Sequence, residues 1–353
     1  MVLGKNYKRI VIKIGSSLFY AENNRLDLNI FKSITEQVVQ LVKEGGELVI
    51  VSSGAIACGM SVLGLQIRPK ELSYLQAVAA VGQNELMNIY RNFFKERALN
   101  CAQVLLTWED FDSRKRYLNA KNTLLTLFKL GSIPIVNEND TISTDEIKFG
   151  DNDRLSALVS SLINADLLII LSDVDGLLVK DKTLIRLVSE ITPQIRNLAC
   201  PTSKKACVGG MISKIEAAKI AIGSGIPCVI ANGRKKGIIV SVAKEPHSHG
   251  TLFLPKESLA AKKRWIAYGS KPKGKIMVDE GAKKALLDKK SLLSVGVLDL
   301  AGDFVNGSTV SVIDLEKNEF ARGKVGISSS RLQKVKGKRC DKEVIHRDNI
   351  VIL

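Results

Sequence analysis

The first 230 residues alternate short apolar runs with longer segments of helical spacing, and this pattern limits the fold more than any other feature. The runs at residues 9–15, 47–55, 102–107, 132–140, 166–176 and 226–231 predict strands, and residues 28–43, 71–95, 117–130, 152–163 and 213–224 predict helices. The strand runs lack inside/outside alternation, which is typical of a parallel sheet that is buried on both faces. The sequence therefore predicts an α/β fold, with a mostly parallel sheet sandwiched between helices.

The C-terminal part has a different pattern. Residues 234–271 are rich in Lys, Pro, Gly and Ser, and residues 260–264 have the composition of a charged connector. From residue 275 onward, short strand-like runs alternate with glycine turns, and one helical stretch lies near residues 281–287. We therefore predict a sheet domain at residues 1–259, a connector at 260–272 and a small β-barrel-like domain at 273–353.

The net charge of +16 is spread unevenly along the chain. Residues 262–353 contain 20 Lys and Arg against 11 Asp and Glu, whereas the other 261 residues contain 32 against 25. A basic field of this density attracts polyanions, so weak RNA binding is one function of the tail that the composition allows. A lysine-rich surface that only keeps the protein soluble explains the same composition, and both interpretations stay open here.

Composition also indicates the compartment. No apolar run reaches the roughly 18 residues that a membrane span needs, and the first residues lack the apolar core of a secretory signal. The six cysteines are scattered without a CxxC pair or zinc spacing, which is typical of free thiols in a reducing compartment. We expect a cytoplasmic protein with no membrane segment and no metal site built from protein ligands.

Glycine and serine follow several predicted strands, at the sheet edge where parallel α/β proteins bind ligands. The same rule picks out Asn137-Glu138-Asn139-Asp140, and the segments that contain glycine or serine are Gly15-Ser16-Ser17, Ser52-Ser53-Gly54 and Ser172-Asp173. Each could offer backbone N–H groups to a phosphate. The chain contains neither GxxxxGK[ST] nor a GxGxxG after a strand, so a P-loop and a dinucleotide-binding fingerprint are both excluded.

Two lysines are candidate phosphate ligands. Lys13 lies within the first predicted strand between two isoleucines, and a buried lysine is costly unless it meets an anion. An edge strand with Lys13 in solvent is the alternative interpretation. Lys214 follows Gly209-Gly210-Met211 at the start of a predicted helix, where an ordinary solvated lysine is also common.

Four acidic residues form a second candidate group. Glu138, Asp140, Asp151 and Asp153 fall within 16 residues, and Asn152 separates the last two. Such a group could bind a metal, an ammonium group or the two lysines. Asx turns around a hairpin at residues 141–149 explain the same residues without any ligand.

Seven short strings, in one order over about residues 8–260, carry a resemblance to a known family. They are VIKIGSS, VSSGAIACG, AAVGQ, VNEND, GDND, LSDVDGL and GGMISK. This set resembles the glutamate 5-kinases of the amino acid kinase superfamily. Residues 273–351 resemble the PUA domain that follows the kinase domain in many bacterial members.

The resemblance implies an activity and a role for particular residues. The activity is ATP- and Mg²⁺-dependent phosphorylation of the γ-carboxylate of L-glutamate, the first step of proline biosynthesis. Lys13 and Lys214 would flank the transferred phosphoryl group, and Asp153 would hold both lysines. The matching substrate-binding positions are Ser53, Gly54, Asp140, Asp151 and Asn152; the nucleotide-binding positions are Lys13, Gly15, Ser172, Asp173, Val208, Gly209, Gly210, Met211 and Lys214. Cys207-Val208 stands where the family usually has Gly-Thr, which leaves the nucleotide contacts there in question.

The resemblance also implies partners: a homo-oligomer, feedback inhibition by proline and a glutamyl-phosphate reductase that uses the product.

Three rival functions stay open beside this activity. The first is a kinase of the same fold with another carboxylate acceptor. The second is an RNA-binding or RNA-modifying protein with the basic tail as its working part, and the third is a kinase-derived regulatory protein without activity. The VNEND and GDND strings favour glutamate, and the presence of Lys13, Lys214 and Asp153 favours an active enzyme.

Overall fold

The computed structural model describes residues 7–20, 26–142, 151–179, 181–198, 210–255 and 259–353, and of Asp151 only the backbone. The chain divides into two compact units. The first comprises Met1–Asp110 and Lys115–Ser258, and the second comprises Phe111–Arg114 and Leu259–Leu353. The predicted hairpin at residues 141–149 lies almost wholly outside the described residues.

The described part of the first unit contains one sheet and its helices. The strands are β1 (Arg9–Ile14), β2 (Glu47–Ser52), β3 (Asn100–Leu106), β4 (Ser132–Glu138), β5 (Leu167–Ser172), β6 (Leu187–Val188), β7 (Cys228–Asn232) and β8 (Thr251–Phe253). The helices are α1 (Leu28–Lys43), α2 (Ala55–Val62), α3 (Leu72–Lys95), α4 (Trp108–Asp112), α5 (Arg114–Lys129), α6 (Asp151–Ile163), α7 (Pro193–Leu198), α8 (Gly210–Gly223) and α9 (Ile238–Lys244). Of these helices, α4 and α5 each have an end in the Phe111–Arg114 segment of the second unit.

The sheet has the strand order β3-β4-β2-β1-β5-β7-β8-β6. The ladders from β3 to β7 are parallel, and β8 pairs with β7 in the antiparallel sense. The prediction of a mostly parallel sheet is therefore confirmed. Because β1 lies in the middle, Lys13 is paired with Val51 on one side and Ile170 on the other. The alternative of an edge strand for Lys13 is excluded.

The sheet extends beyond the last strand that the sequence predicted. Residues 234–271 have the composition of a linker, yet α9 and β8 come from this stretch and belong to the sheet unit. β8 has three residues, all buried, which is too short for a periodic signal. Its antiparallel direction adds a pairing that the alternating strand–helix pattern does not encode.

The second unit has a sheet of its own. Its strands are β9 (Lys275–Val278), β10 (Val297–Ala301), β11 (Thr309–Ile313), β12 (Glu319–Lys324) and β13 (Ile350–Ile352), in the order β10-β9-β11-β12-β13. Its helices are α10 (Ala261–Arg264), α11 (Glu280–Leu287) and α12 (Ser329–Val335). The single helix expected near residues 281–287 is α11, which the Asp279 side chain caps. α12 is a correction: it has seven residues and only the Ser328 cap as a sequence signal.

The segment Phe111–Arg114 belongs to the second unit, although the chain on both sides of it belongs to the first. Nε1 of Trp265 donates to the carbonyl oxygen of Phe111 at 2.7 Å. The Asp112 carboxylate accepts from the hydroxyl of Ser270 at 3.1 Å and the backbone N–H of Lys271 at 3.0 Å, and it lies 3.1 Å from Nζ of Lys273. These contacts hold the segment within the second unit.

Within the described ranges, no helix combines the length and the apolar character that a bilayer-spanning segment requires.

Candidate active site

A buried trio of charged residues lies at the carboxyl edge of the sheet. Nζ of Lys13 is 2.5 Å from Oδ1 of Asp153, and Nζ of Lys214 is 3.4 Å from Oδ2 of the same carboxylate. The exposed fractions of Lys13, Asp153 and Lys214 are 4%, 0% and 8%. One carboxylate faces two ammonium groups, so the trio carries excess positive charge in a site that is largely closed to water.

Three separate elements bring this trio together. Lys13 comes from the central strand β1, Asp153 from the first turn of α6 and Lys214 from the first turn of α8. The hydroxyl of Ser213 donates to Oδ2 of Asp153 at 2.6 Å, and Nζ of Lys214 donates to the carbonyl oxygen of Gly210 at 2.9 Å. The start of α8 is therefore tied to the start of α6 through one carboxylate.

Burial and charge oppose each other in this trio. Burial lowers the pKa of Lys13 below its usual range; the Asp153 carboxylate opposes that shift and the nearby Lys214 reinforces it. Burial alone raises the pKa of Asp153, but the charges of Lys13 and Lys214 outweigh burial, so this pKa lies below its usual range. Asp153 therefore stays ionised at neutral pH, as a group must that holds two cations.

A chain of polar side chains connects Ser53, after β2, with Asn137, in β4. Nδ2 of Asn152 donates to the hydroxyl of Ser53 at 3.2 Å and to Oδ1 of Asn137 at 2.9 Å. Asn137 in turn donates to Oε1 of Gln83 at 2.8 Å. The buried Oδ1 of Asn152 has no hydrogen-bond partner among the residues that the structure describes. Because an unsatisfied buried acceptor is costly, this oxygen is suited to a donor on a ligand.

Gly54 turns the chain from β2 into α2. Its φ of +107° lies in a region that favours glycine, and a Cβ there would lie 2.7 Å from the ring of Phe19. A larger residue would displace either the turn or the aromatic ring. Gly54 therefore helps to fix the backbone next to Ser53.

The acidic residues after β4 do not all lie at the buried trio. Asp140 follows the end of β4, is half-buried and lies within electrostatic reach of Arg68. Burial lowers the pKa of Arg68, and the charges of Tyr20 and Asp140 oppose that shift. Asp151 is the first residue of α6.

The predicted nucleotide residues lie at two places along the same edge. The backbone N–H of Gly15 donates to the carbonyl oxygen of Leu171 at 3.0 Å, which joins the ends of β1 and β5. Ser172 ends β5 and is buried, and its hydroxyl donates to the exposed Asp173 at 3.1 Å. Gly210 and Met211 begin α8, and Val208 and Gly209 lie outside the described residues.

Several residues of the site were missed by sequence reasoning. Ser213, Arg68 and Gln83 had no assigned role, although Gln83 lies in the AAVGQ string; Asn137 was expected at the ligand-binding edge, but without a specific role. Ser213 lies in the GGMISK string, next to the assigned Lys214. Only Arg68 lies outside every string, so nothing local in the sequence could have identified it.

Two family models match the chain. The amino acid kinase family matches residues 8–232, and the PUA domain matches residues 274–346.

Similar proteins match along nearly the whole length. A glutamate 5-kinase of Thermoanaerobacter sp. (strain X514) is 43% identical, with 98% of each chain covered. A glutamate 5-kinase of Caldanaerobacter subterraneus subsp. tengcongensis is 44% identical, again with 98% of each chain covered. Among solved structures, the N-acetylglutamate synthase of Neisseria gonorrhoeae has a TM-score of 0.53 at 14% identity, covering 70% of this chain and 62% of that one. The last likeness shows the fold alone.

Proposed function

The chain belongs to the amino acid kinase family and, within it, to the glutamate 5-kinases, and we propose that it transfers the γ-phosphoryl group of ATP to the γ-carboxylate of L-glutamate. The product, L-glutamyl 5-phosphate, is the first intermediate of proline biosynthesis. The observation that carries the proposal is the buried Lys13–Asp153–Lys214 trio. The trio can stabilise negative charge, as a kinase site must, and this agrees with the family membership.

The reaction needs placed positive charge more than it needs a base. A glutamate side chain has a free pKa near ~4.3, so the nucleophile is already ionised at neutral pH. The difficulty is to bring this anion up to a triphosphate. Lys13 and Lys214 offset that repulsion and the charge that spreads over the phosphoryl oxygens in the transition state. Asp153 keeps both ammonium groups on the same side of the site.

The substrate amino acid is held by the hydrogen-bonded side chains of Ser53, Asn152 and Asn137, beside the trio. Oδ1 of Asn152, the acceptor without a described partner, receives a hydrogen bond from the ammonium group of glutamate. Asp140 offers a second acceptor for that group, and Ser53, which Gly54 follows in the chain, lies at one end of the same hydrogen-bonded series. Asp151 stays a predicted substrate-binding position. The γ-carboxylate is then directed towards Lys13 and Lys214.

The residues of the site fit a triphosphate, and we propose that the phosphate oxygens would bind the metal. The excess positive charge of the trio suits a polyanion, and Gly15, Ser172, Asp173, Gly210 and Met211 are the described residues assigned to the nucleotide. No group of three or more His, Cys, Asp or Glu side chains that could hold a metal occurs among the described residues. Mg²⁺ bound to the phosphate oxygens neutralises part of their charge.

An acyl phosphate trap tests the proposal. Hydroxylamine converts γ-glutamyl phosphate to a hydroxamate, which should form only when ATP, Mg²⁺ and L-glutamate are all present. The chain with Lys214→Ala is the matched control for contaminating kinases. Equal product from L-aspartate or N-acetyl-L-glutamate would overturn the choice of acceptor.

RNA binding is a second candidate function, and it concerns the second unit. It matches the PUA domain and holds all 20 of the Lys and Arg residues counted for the tail. Weak RNA binding through phosphates should then fall steeply with salt, because each neutralised phosphate releases counterions. The measurement is titration of labelled RNA at two salt concentrations, and no binding at low salt would leave the unit without this role. Assembly into a homo-oligomer, inhibition by proline and transfer of the product to a reductase stay predictions from the resemblance.

A further inference from the structure

Residues 232–235, which are the end of β7 and the turn after it, contact the loops that follow both β1 and β5. The N–H of Gly233 donates to the carbonyl oxygen of Ser172 at 2.8 Å. A Cβ at Gly233 would lie 2.4 Å from a terminal methyl group of Leu18, so a larger residue here would require the Leu18 side chain to move. Nδ2 of Asn232 donates to Oδ1 of Asp175 at 3.0 Å, and Nζ of Lys235 lies 2.8 Å from the same oxygen.

Arg234 makes the contacts of this turn with the loop after β1. Its Nη2 donates to the carbonyl oxygens of Ser17 at 3.0 Å and Tyr20 at 2.9 Å. Its Nη1 lies 3.8 Å from Oδ2 of Asp27, the residue whose side chain caps α1. One guanidinium therefore satisfies two carbonyl oxygens that are more than 210 residues away in sequence.

The loop that Arg234 holds begins at the proposed phosphoryl site. It begins two residues after Lys13 in the chain, and a Cβ at Gly15 would lie 3.9 Å from Nζ of Lys13. A shift of this loop would therefore move the backbone next to the ammonium group. Small displacements of positioning groups are costly in phosphoryl transfer, because catalysis depends mostly on placement.

We propose that Arg234 is a positioning residue for the triphosphate: it holds residues 15–20 in the conformation that lets Lys13 and Gly15 meet the phosphates. This inference rests on the proposed function only in that the site binds ATP; it does not depend on which acceptor is phosphorylated. It assigns no contact between Arg234 and the substrate. Its effect is exerted through the Ser17 and Tyr20 carbonyl groups.

Calorimetric binding of a non-hydrolysable ATP analogue with Mg²⁺ to the full chain tests this role without any acceptor. Arg234→Ala should weaken binding of the triphosphate roughly tenfold, while AMP, which lacks the β- and γ-phosphates, should lose less than about twofold. Arg234→Lys keeps a donor and should fall between wild type and Arg234→Ala. Arg186→Ala is the matched control, because exposed Arg186 also donates to one backbone carbonyl, that of Ser248, at 3.1 Å.

Two results would overturn the inference. In one, Arg234→Ala binds the triphosphate as tightly as Arg186→Ala does. In the other, AMP is weakened as much as the triphosphate, which indicates a general loss of structure that the melting temperatures of the two variants would reveal. Should Arg234→Ala not fold, the same comparison is made with Arg234→Lys. A wild-type chain that binds no triphosphate refutes both this inference and the proposed function. A chain that binds it but forms no glutamyl hydroxamate refutes only the acceptor.

Discussion

Lys13 and Asp153 form a buried ion pair in which Nζ lies 2.5 Å from Oδ1. The two residues are 140 positions apart, one in the central strand and one in the first turn of α6. The pair is the centre of the candidate site, because the second oxygen of the carboxylate faces Lys214.

Removing either lysine should mainly lower turnover. Lys13→Ala and Lys214→Ala each delete charge that acts on the transferred phosphoryl group, so kcat should fall roughly 10²-fold or more, with smaller changes in KM. Steady-state kinetics with both substrates measures this. Lys219→Ala, on the same helix α8 as Lys214, is the matched control and should keep wild-type kcat. Equal losses in control and site variants would refute the assignment.

Asp140→Asn should weaken glutamate binding and spare ATP. The carboxylate is assigned to the ammonium group of the substrate before transfer, so the KM for glutamate should rise while the KM for ATP stays within about twofold. Glu138→Gln, at the last residue of β4 and two positions before Asp140, provides the comparison. If Asp140→Asn raises the KM for ATP instead, Asp140 serves the metal, and the acidic residues must be reassigned.

The stability difference between wild type and Asp153→Asn should depend on pH. The folded-state pKa of Asp153 lies below its unfolded value of ~3.9, so the stabilisation from its charge is complete above that value and is lost as the pH falls through the folded-state pKa. At pH 7 the variant should be destabilised by roughly 3–5 kcal/mol, because two buried ammonium groups lose their counter-charge.

Denaturant unfolding at neutral and acidic pH measures this difference. The protonated carboxyl group of the wild type and the amide of the variant become similar in acid, so the two unfolding free energies should converge. A difference that stays constant as the pH falls from 7 to well below the unfolded-state value of ~3.9 would show that the charge of Asp153 is not what stabilises the fold.

Trp265→Phe should destabilise the second unit. The change keeps an aromatic ring but removes the buried N–H that the Phe111 carbonyl accepts, and an unsatisfied buried group costs about 1–3 kcal/mol. Trp108→Phe, in the first unit, is the matched control. Because the chain has two tryptophans, each variant also shows the fluorescence of the one that remains. An unchanged melting temperature in Trp265→Phe would contradict the role of this hydrogen bond.

Truncation after Leu259 should leave an active but less soluble enzyme. Every residue of the candidate site belongs to the first unit, so hydroxamate formation should persist. The truncation removes Trp265 and the partners of Asp112, and it exposes Phe111, which is buried in the full chain. Phe111→Ser in the truncated chain should restore solubility, as sedimentation can show. A soluble truncated chain without activity would mean that the second unit is needed for catalysis.

Local patterns in the sequence were enough for much of the fold. α1 has the predicted bounds, and β1, β2, β4 and β5 lie where apolar runs predicted them. The same patterns placed Gly15, Ser53 and Ser172 at one sheet edge, since parallel strands end together. Lys13 could be recognised as unusual from its isoleucine neighbours alone. These properties depend on residues close together in the chain, and periodicity records such neighbours.

The tertiary structure decided what depends on distant residues. The antiparallel pairing of β8, the Asn152 oxygen that lacks a described partner and the hydrogen bonds from Arg234 to Ser17 and Tyr20 have no local signal. The membership of Phe111–Arg114 in the second unit has none either. Each arises when packing brings together polar groups from separate elements, and a buried group must then find a partner wherever the fold supplies one. The sequence by itself determined the sheet edge and the charges placed there; packing determined which of those charges meet.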